Sequence, residues 1–163
     1  WKITLANTGE SSMTGGRLKK VEKYLDDSEN FCLTYGDGVG DIDIASTVKF
    51  HKSHGKLATI TTASPPSRFG HVEILDDQVT GFQEKPNHNT PKVNAGFFVL
   101  SKQVLKFIDC AETIWEKEPL QEIAKNGELR AYNHTGFWQP MDTLRDKAML
   151  EKLWQANPPW QNW

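Results

Sequence analysis

The sequence lacks features that mark several classes of protein. It has two cysteines, too few and too far apart to predict a disulfide framework or a metal site. Cys32 lies in a short apolar run and is predicted to be a small buried hydrophobe. No apolar run is long enough to span a bilayer and no signal peptide is recognisable, so we expect no membrane partner and a cytoplasmic location.

Charge of one sign is not in excess either. The 19 Lys and Arg residues and the 21 Asp and Glu residues are mixed along the chain, for a net charge of -2. Nucleic-acid-binding proteins usually show a basic stripe, and none is present, so we expect no nucleic-acid partner. The five histidines have neither metal-ligand spacing nor the partners of a catalytic triad. The 37% of hydrophobic residues and 25% of charged residues are typical of a globular protein.

The order of the predicted elements favours an α/β fold. Strands over residues 31–35 and 57–63 flank a helix over residues 43–54, which is typical of a parallel sheet with crossover helices. The other predicted elements are strands over 1–6, 94–100 and 129–133, an antiparallel hairpin within 72–83, and helices over 18–25, 102–108, 118–125 and 143–155. With no repeat or linker, the pattern predicts one domain over residues 1–163, with a Rossmann-like, mostly parallel mixed sheet flanked by helices.

A glycine-rich segment with two acids follows the strand at residues 31–35. In open α/β sheets, ligands bind beyond the carboxyl ends of the strands. Asp37 can hold Mg²⁺ there, and Gly36 allows the backbone to approach a nucleotide closely. The structural alternative is an Asp-Gly turn that joins the strand to the next helix. A calcium loop does not fit, because one that starts at Asp37 has Ile42 where Gly is required.

Residues 11–17 form a second candidate site, rich in hydroxyl groups and glycine at the start of a helix. The helix N-terminus suits an anion, and Arg17 can bind two phosphate oxygens at once. No Gly-Lys-Ser/Thr follows, so the segment is not a Walker P-loop. The structural alternative is a flexible loop in which Thr14 caps the helix.

Two further segments carry polar groups of the right chemistry. Glu84 can accept hydrogen bonds from sugar hydroxyls and Lys85 can bind a phosphate, unless the two form an exposed ion pair at the end of the hairpin. Asp142 precedes the last helix. It is either the N-cap of that helix or a second carboxylate that completes a Mg²⁺ site with Asp37.

Together, these segments resemble the nucleotidyltransferase family that activates sugar 1-phosphates. The ordered set is far more specific than any one motif and covers nearly the whole chain. It comprises Thr8-Gly9, residues 12–18 and 35–39, Phe50-His51-Lys52, Pro66, Arg68-Phe69-Gly70, residues 82–86 and 96–99, Trp115-Glu116, Glu118-Pro119-Leu120 and residues 136–146. Ala95 stands where the family pattern leads us to expect a second Gly, and Gly40 where it leads us to expect Ala.

The resemblance implies a role for each candidate residue. It implies that Asp37 and Asp142 hold Mg²⁺, and that catalysis depends on Arg17, Asp37, Lys85 and Asp142. The expected nucleotide contacts are Ser12, Thr14, Gly16, Arg17 and Gly36, and the expected sugar-phosphate contacts are Gly70, Glu84, Lys85 and Asn94. Within the family, the segments are most similar to members that make CDP-glucose from CTP and glucose 1-phosphate. A sister enzyme that uses UTP or dTTP and a non-catalytic nucleotide-sugar-binding homologue are the alternatives.

One part of the family pattern is absent. The family begins with a strand, a Gly-rich loop that carries an Arg, and a Lys-Pro-Lys-Pro segment, and residues 1–163 contain nothing similar. The chain also begins at Trp1 within an apparent strand, so we expect its first strands to be missing and the chain alone to be inactive. The family commonly forms homo-oligomers. Tryptophans 138, 154, 160 and 163 are predicted to be core or subunit-contact residues.

Overall fold

A computed structural model describes residues 1–25, 28–65, 71–83 and 91–161. Contacts divide the chain into two compact units, the first of residues 1–34, 43–61 and 96–132 and the second of residues 35–42, 62–95 and 133–163. The elements are α1 (Thr14–Lys20), β1 (Asn30–Thr34), β2 (Gly38–Gly40), α2 (Ile44–His54), β3 (Ala58–Ala63), β4 (His71–Leu75), β5 (Gln78–Gln83), β6 (Val93–Ser101), α3 (Glu118–Lys125), β7 (Leu129–Asn133), β8 (Trp138–Pro140) and α4 (Leu144–Ala156), with 3₁₀ helices at Glu22–Tyr24 and Lys102–Phe107. Within these ranges, no helix has the length and apolar character needed to cross a membrane.

Four strands form one sheet in the order β1-β6-β3-β7. Strand β6 runs antiparallel to β1. At the other side of β6, the N–H of its last residue, Ser101, donates to the carbonyl of Leu57, which lies just before β3, at 2.8 Å. The end of β6 therefore meets the beginning of β3, and these two strands are antiparallel as well.

Strands β3 and β7 run in the same direction. The N–H of Ala58 donates to Glu128 at their beginning, and the N–H of His134 donates to Thr62 at their end. Strands β1, β3 and β7 are thus parallel to one another, with β6 antiparallel between β1 and β3. The predicted mixed sheet is confirmed. Three of its four strands run in one direction, but two of its three neighbouring pairs are antiparallel, because β6 lies between β1 and β3.

The core of the first unit is built from β6 and the segments after it. Phe98, Val99 and Leu100 are consecutive and all buried, so both faces of β6 are covered. The ring of Trp115 is also buried and meets Phe98 edge-on, with 6.1 Å between ring centroids. Ile123 of α3 is fully buried. A continuous apolar run in β6 is what a strand covered on both faces requires.

Two predictions about apolar residues are wrong. Cys32 is exposed, because alternate side chains of β1 face opposite sides of the sheet, and Cys32 lies with Thr34 on the exposed side. Residues 1–6 form no strand, and Trp1, Ile3 and Leu5 are exposed. A strand needs a neighbour for its backbone hydrogen bonds, and no strand of the described residues pairs with this segment.

The helix boundaries follow local signals. Helix α2 agrees with the prediction, since the carboxylate of Asp43 accepts from the N–H of Ser46 at 2.9 Å and Gly55 ends the helix with φ 63°. Helix α1 begins four residues earlier than predicted and includes Gly15 and Gly16. The predicted helix after Ser101 is a 3₁₀ helix over Lys102–Phe107.

The second unit contains two small antiparallel sheets. Strands β4 and β5 form the predicted hairpin, and Asp76 in its turn has φ 56°. Strands β2 and β8, which were not predicted, pair with each other and are called the β2–β8 ribbon below. Trp154 stacks on Trp160 at 6.4 Å but is 59% exposed, so its expected role in a subunit contact stays a prediction. Trp163 lies outside the described residues.

A series of hydrogen bonds, with the buried bond between His51 and Thr59 at its centre, links α2 to β3 and β1. His54 Nδ1 accepts from the N–H of Lys56 at 2.9 Å, so the proton of its neutral ring is on Nε2, 2.8 Å from Thr59 Oγ1. The hydroxyl of Thr59 then donates to His51 Nδ1 at 2.9 Å, and His51 Nε2 donates to Asn30 Oδ1 at 3.2 Å. Both histidine rings take part in these hydrogen bonds as neutral imidazoles.

These hydrogen bonds to His51 and His54 lead us to expect that the protein becomes less stable in mild acid. Burial lowers the pKa of His51 and of His54 in the folded protein. Arg130 and Lys56 lower the pKa of His54 further, and a proton on His54 would lower that of His51. The unfolded chain takes up these protons as the pH falls through about 6.5. It then binds more protons than the folded protein, so we expect the free energy of unfolding to decrease below about pH 6.5. Urea unfolding at several pH values measures this decrease. A His51→Leu variant should show a smaller one, and an unchanged decrease would assign the effect to other groups.

Candidate active site

The glycine-rich segment after β1 places Gly36 and Asp37 at an exposed position of the second unit. A Cβ atom at Gly36 would meet nothing within 4 Å. Its φ also lies outside the left-handed region that favours glycine. Neither packing nor backbone conformation within the described residues therefore requires glycine at this position, which leaves space beside the backbone for a ligand.

The β2–β8 ribbon brings the two predicted metal ligands to the same end of a small sheet. Gly38 lies opposite Pro140, and beyond this pair the N–H of Met141 donates to the carbonyl of Asp37 at 2.8 Å. Asp142 follows directly and is exposed, as is Asp37. Two exposed carboxylates, about a hundred residues apart in sequence, thus lie on adjoining backbone segments.

Asp142 is not the N-cap of α4, so that alternative is wrong. The cap is Thr143, whose hydroxyl accepts from the N–H of Asp146 at 3.2 Å while the Asp146 carboxylate accepts from the N–H of Thr143 at 3.1 Å. This reciprocal pair is a capping box. In the described part of the chain, the Asp142 carboxylate therefore has no role in starting the helix.

The donor set at the ribbon suits Mg²⁺. Among the described residues, no group of three or more His, Cys, Asp or Glu side chains lies close enough to hold a metal ion by itself. A zinc site would need three or four such protein ligands. Mg²⁺ takes one or two carboxylates and completes its shell with waters and substrate phosphates, which matches two exposed aspartates beside open space.

Asn94, a predicted sugar-phosphate contact, lies in the same unit. Its Nδ2 is 3.3 Å from the hydroxyl of Tyr35, two residues before Asp37. The indole N–H of Trp138 in β8 donates to the carbonyl of the next residue, Ala95, at 3.0 Å. The beginning of β6 is thereby linked to Tyr35, which lies before β2, and to β8.

Ser12 and Arg17, in the first unit, hold their own loop together. The buried hydroxyl of Ser12 donates to the carbonyl of Thr8 at 2.5 Å and accepts from Lys20 Nζ at 2.7 Å. Arg17 donates to Thr8 Oγ1 at 2.8 Å and to the carbonyl of Glu10 at 3.1 Å. Because a guanidinium has five N–H donors and Arg17 is exposed, it retains donors for a phosphate.

Thr14 and Gly16 have structural contacts of their own. The Thr14 hydroxyl donates to Glu116 Oε2 at 2.7 Å and accepts from the N–H of Trp115 at 2.9 Å, so it does not cap α1 as the structural alternative required. A Cβ atom at Gly16 would overlap the backbone of Ala111. Nucleotide contacts at these two residues stay predictions.

A sequence profile of the family described as "Nucleotidyl transferase" matches residues 1–156. The chain belongs to the nucleotidyl transferase family. It is 56% identical to glucose-1-phosphate cytidylyltransferase of Salmonella typhimurium, over 100% of this chain and 64% of that protein. It is 38% identical to a probable glucose-1-phosphate cytidylyltransferase of Bacillus subtilis, with the same two shares covered. This nucleotidyl transferase chain thus spans less than two thirds of the length of these relatives.

Solved structures show the same α/β nucleotidyl transferase fold. A putative glucose-1-phosphate thymidylyltransferase from Bacillus anthracis matches with a TM-score of 0.67 at 17% identity, over 91% of this chain and 63% of that one. The HddC protein from Yersinia pseudotuberculosis matches with a TM-score of 0.63 at 22% identity, over 86% and 61%. At these identities, the likeness concerns the fold alone, a mixed sheet flanked by helices.

Three predicted sugar-phosphate residues of this nucleotidyl transferase, Gly70, Glu84 and Lys85, lie outside the described residues.

Two residues near Asp142, Gln139 and Asp146, were not among the predicted site residues. A Thr-x-x-Asp capping box is a recognisable signal and points to Asp146. No sequence signal distinguishes the buried Gln139 from a surface glutamine.

Proposed function

We propose that the full-length protein transfers a cytidylyl group from CTP to glucose 1-phosphate, giving CDP-glucose and pyrophosphate. The observation that carries this proposal is the β2–β8 ribbon, which holds Asp37 and Asp142 at one end beside Gly36. The nucleotide and the sugar are supported by the names of relatives that are similar over the whole chain.

In this reaction, an oxygen of the glucose 1-phosphate phosphate group attacks the α-phosphorus of CTP. One P–O bond forms, the bond to the β-phosphate breaks, and pyrophosphate leaves from the opposite side with the electron pair. A phosphate monoester is already anionic near neutral pH, so the attack needs no strong general base. The chain's contribution is then to position two anionic substrates and to offset their charge.

Different residues of this chain would position the substrates and offset their charge. Asp37 and Asp142 would hold Mg²⁺, which supplies charge neutralisation at the phosphate oxygens. We assign Arg17 and Lys85 to the substrate phosphates, with Ser12, Thr14 and Gly16 beside the nucleotide. Gly36 lets the backbone approach the nucleotide, and Gly70, Glu84 and Asn94 bind the sugar phosphate.

The test is pyrophosphate release by the full-length protein with Mg²⁺, glucose 1-phosphate and each nucleoside triphosphate in turn. We expect release with CTP to exceed that with UTP, dTTP or GTP by at least about tenfold, because loss of matched polar contacts to a base costs at least that factor. Preference for UTP or dTTP would keep the reaction and assign a sister enzyme. No release with any triphosphate, from folded protein that still binds CDP-glucose, would replace the enzyme with a binding protein.

A further inference from the structure

A hydrogen-bond network with two buried side chains spans the segment that carries Asp142. Gln139, at the middle of β8, is 4% exposed, and Asp146, in the first turn of α4, is 8% exposed. The amide Nε2 of Gln139 donates to Asp146 Oδ1 at 3.1 Å and to the carbonyl of Pro140 at 3.0 Å. This bond closes a loop over residues 139–146, with Asp142 inside it.

The second carboxylate oxygen of Asp146 fixes the other side of this loop. Asp146 Oδ2 accepts from the N–H of Thr143 at 3.1 Å and from its hydroxyl at 2.8 Å. The residue before Asp142, Met141, is fixed through its N–H on the carbonyl of Asp37. Backbone groups on both sides of Asp142 are therefore held, while its own side chain is exposed.

A capping box alone does not account for this network. Thr143 and Asp146 are sufficient to start α4, and such boxes occur on ordinary helices. The hydrogen bond from Gln139 is not needed for the capping box. It connects the carboxylate of Asp146 to β8, the strand that pairs with β2. A buried carboxylate that joins a helix start to the ribbon resembles the outer partners that orient metal-binding groups.

We propose that Gln139 and Asp146 are positioning residues that hold Asp142 in the geometry needed for the divalent cation. This role rests on the proposed metal pair. Both residues act through the backbone of residues 141–143, and neither needs to touch substrate. Their loss should weaken metal binding while the rest of the fold persists.

The test is Mn²⁺ binding to the full-length protein, followed by electron paramagnetic resonance. We expect Gln139→Met and Asp146→Ala each to weaken Mn²⁺ binding by roughly tenfold or more, as loss of outer partners at metal sites does. Amide hydrogen exchange at Met141 and Thr143 should speed up in both variants without metal. Asp146→Asn should recover only part of the affinity, since its amide can pair with a flipped Gln139 amide, but the flip loses the bond from Gln139 Nε2 to the carbonyl of Pro140.

The matched control is Asp43→Ala, which removes the acidic cap of α2, where Asp43 accepts from Ser46. It should lower the melting temperature about as much as Asp146→Ala, yet leave Mn²⁺ affinity unchanged. The Asp142→Ala variant distinguishes failure of the metal pair from failure of the positioning role. If Asp142→Ala binds Mn²⁺ as tightly as the unsubstituted protein, the metal pair and the positioning role both fail. If it binds weakly but Gln139→Met and Asp146→Ala match the Asp43→Ala control, only the positioning role is overturned.

Discussion

Asp37→Ala and Asp142→Ala are each expected to reduce kcat/KM for CDP-glucose formation by roughly a thousandfold or more, the upper range for loss of a group that stabilises transition-state charge. Stability should hardly change, because both carboxylates are exposed and neither has a hydrogen-bond or ion-pair partner within the described residues. The link between Met141 and Asp37 uses backbone atoms and survives both substitutions. The measurements are steady-state pyrophosphate release and thermal unfolding of the full-length protein.

The control for the two aspartates is Asp109→Ala, which removes an exposed carboxylate outside the β2–β8 ribbon. Its kcat/KM should stay within about twofold of the unsubstituted protein, as is usual for surface substitutions away from special features. Retained activity in Asp37→Ala or Asp142→Ala at saturating Mg²⁺ would remove that residue from the metal site. A large fall in melting temperature would instead show that the carboxylate is structural.

Gly16→Ala is expected to destabilise the protein by about 3 kcal/mol, the upper range for overpacking at a close contact. In an ordinary helix, the same substitution stabilises by about 1 kcal/mol, because alanine loses less backbone entropy than glycine on folding. Here the added Cβ would lie 2.6 Å from the carbonyl carbon of Ala111, and only movement of one backbone against the other relieves that overlap. The sign of the change in unfolding free energy is therefore itself the test.

Gly36→Ala is the matched comparison, since a Cβ atom there meets nothing within 4 Å. Its unfolding free energy, from urea denaturation, should stay within about 0.5 kcal/mol of the unsubstituted protein. The KM for CTP should rise, because the new methyl group occupies space assigned to the nucleotide. A stabilised Gly16→Ala variant would show that α1 does not approach Ala111 closely, and unchanged CTP kinetics in Gly36→Ala would remove Gly36 from the nucleotide site.

Helices with recognisable capping residues at both ends were predictable from the sequence. Helix α2 has Asp43 before it and Gly55 after it, and each acts within a few residues. The β2–β8 ribbon had no such signal, since each strand is three residues long and rich in Gly or Pro, and its pairing depends on distant parts of the chain. The strand expected over residues 1–6 failed for a related reason, because an apolar alternation forms a strand only beside a partner.

The candidate site was predictable to a different degree. Asp37 followed from its place after a strand. For Asp142, the residues alone left an N-cap and a metal ligand as alternatives, and the family resemblance favoured the metal ligand. The structure adds that their backbones adjoin through Met141 and that Thr143, not Asp142, caps α4. Gln139 is invisible to sequence reasoning, because burial and a bond to a residue on the next element decide its role.

The backbone contact between Asp37 and Met141 can form only late in synthesis. These residues are about a hundred positions apart, so the second carboxylate leaves the ribosome long after the first. At roughly 5–20 residues per second, that delay is on the order of 5–20 seconds. During it, the nascent chain carries Asp37 without its counterpart. The backbone contact between Asp37 and Met141 thus forms only when the strands between them are already available to fold.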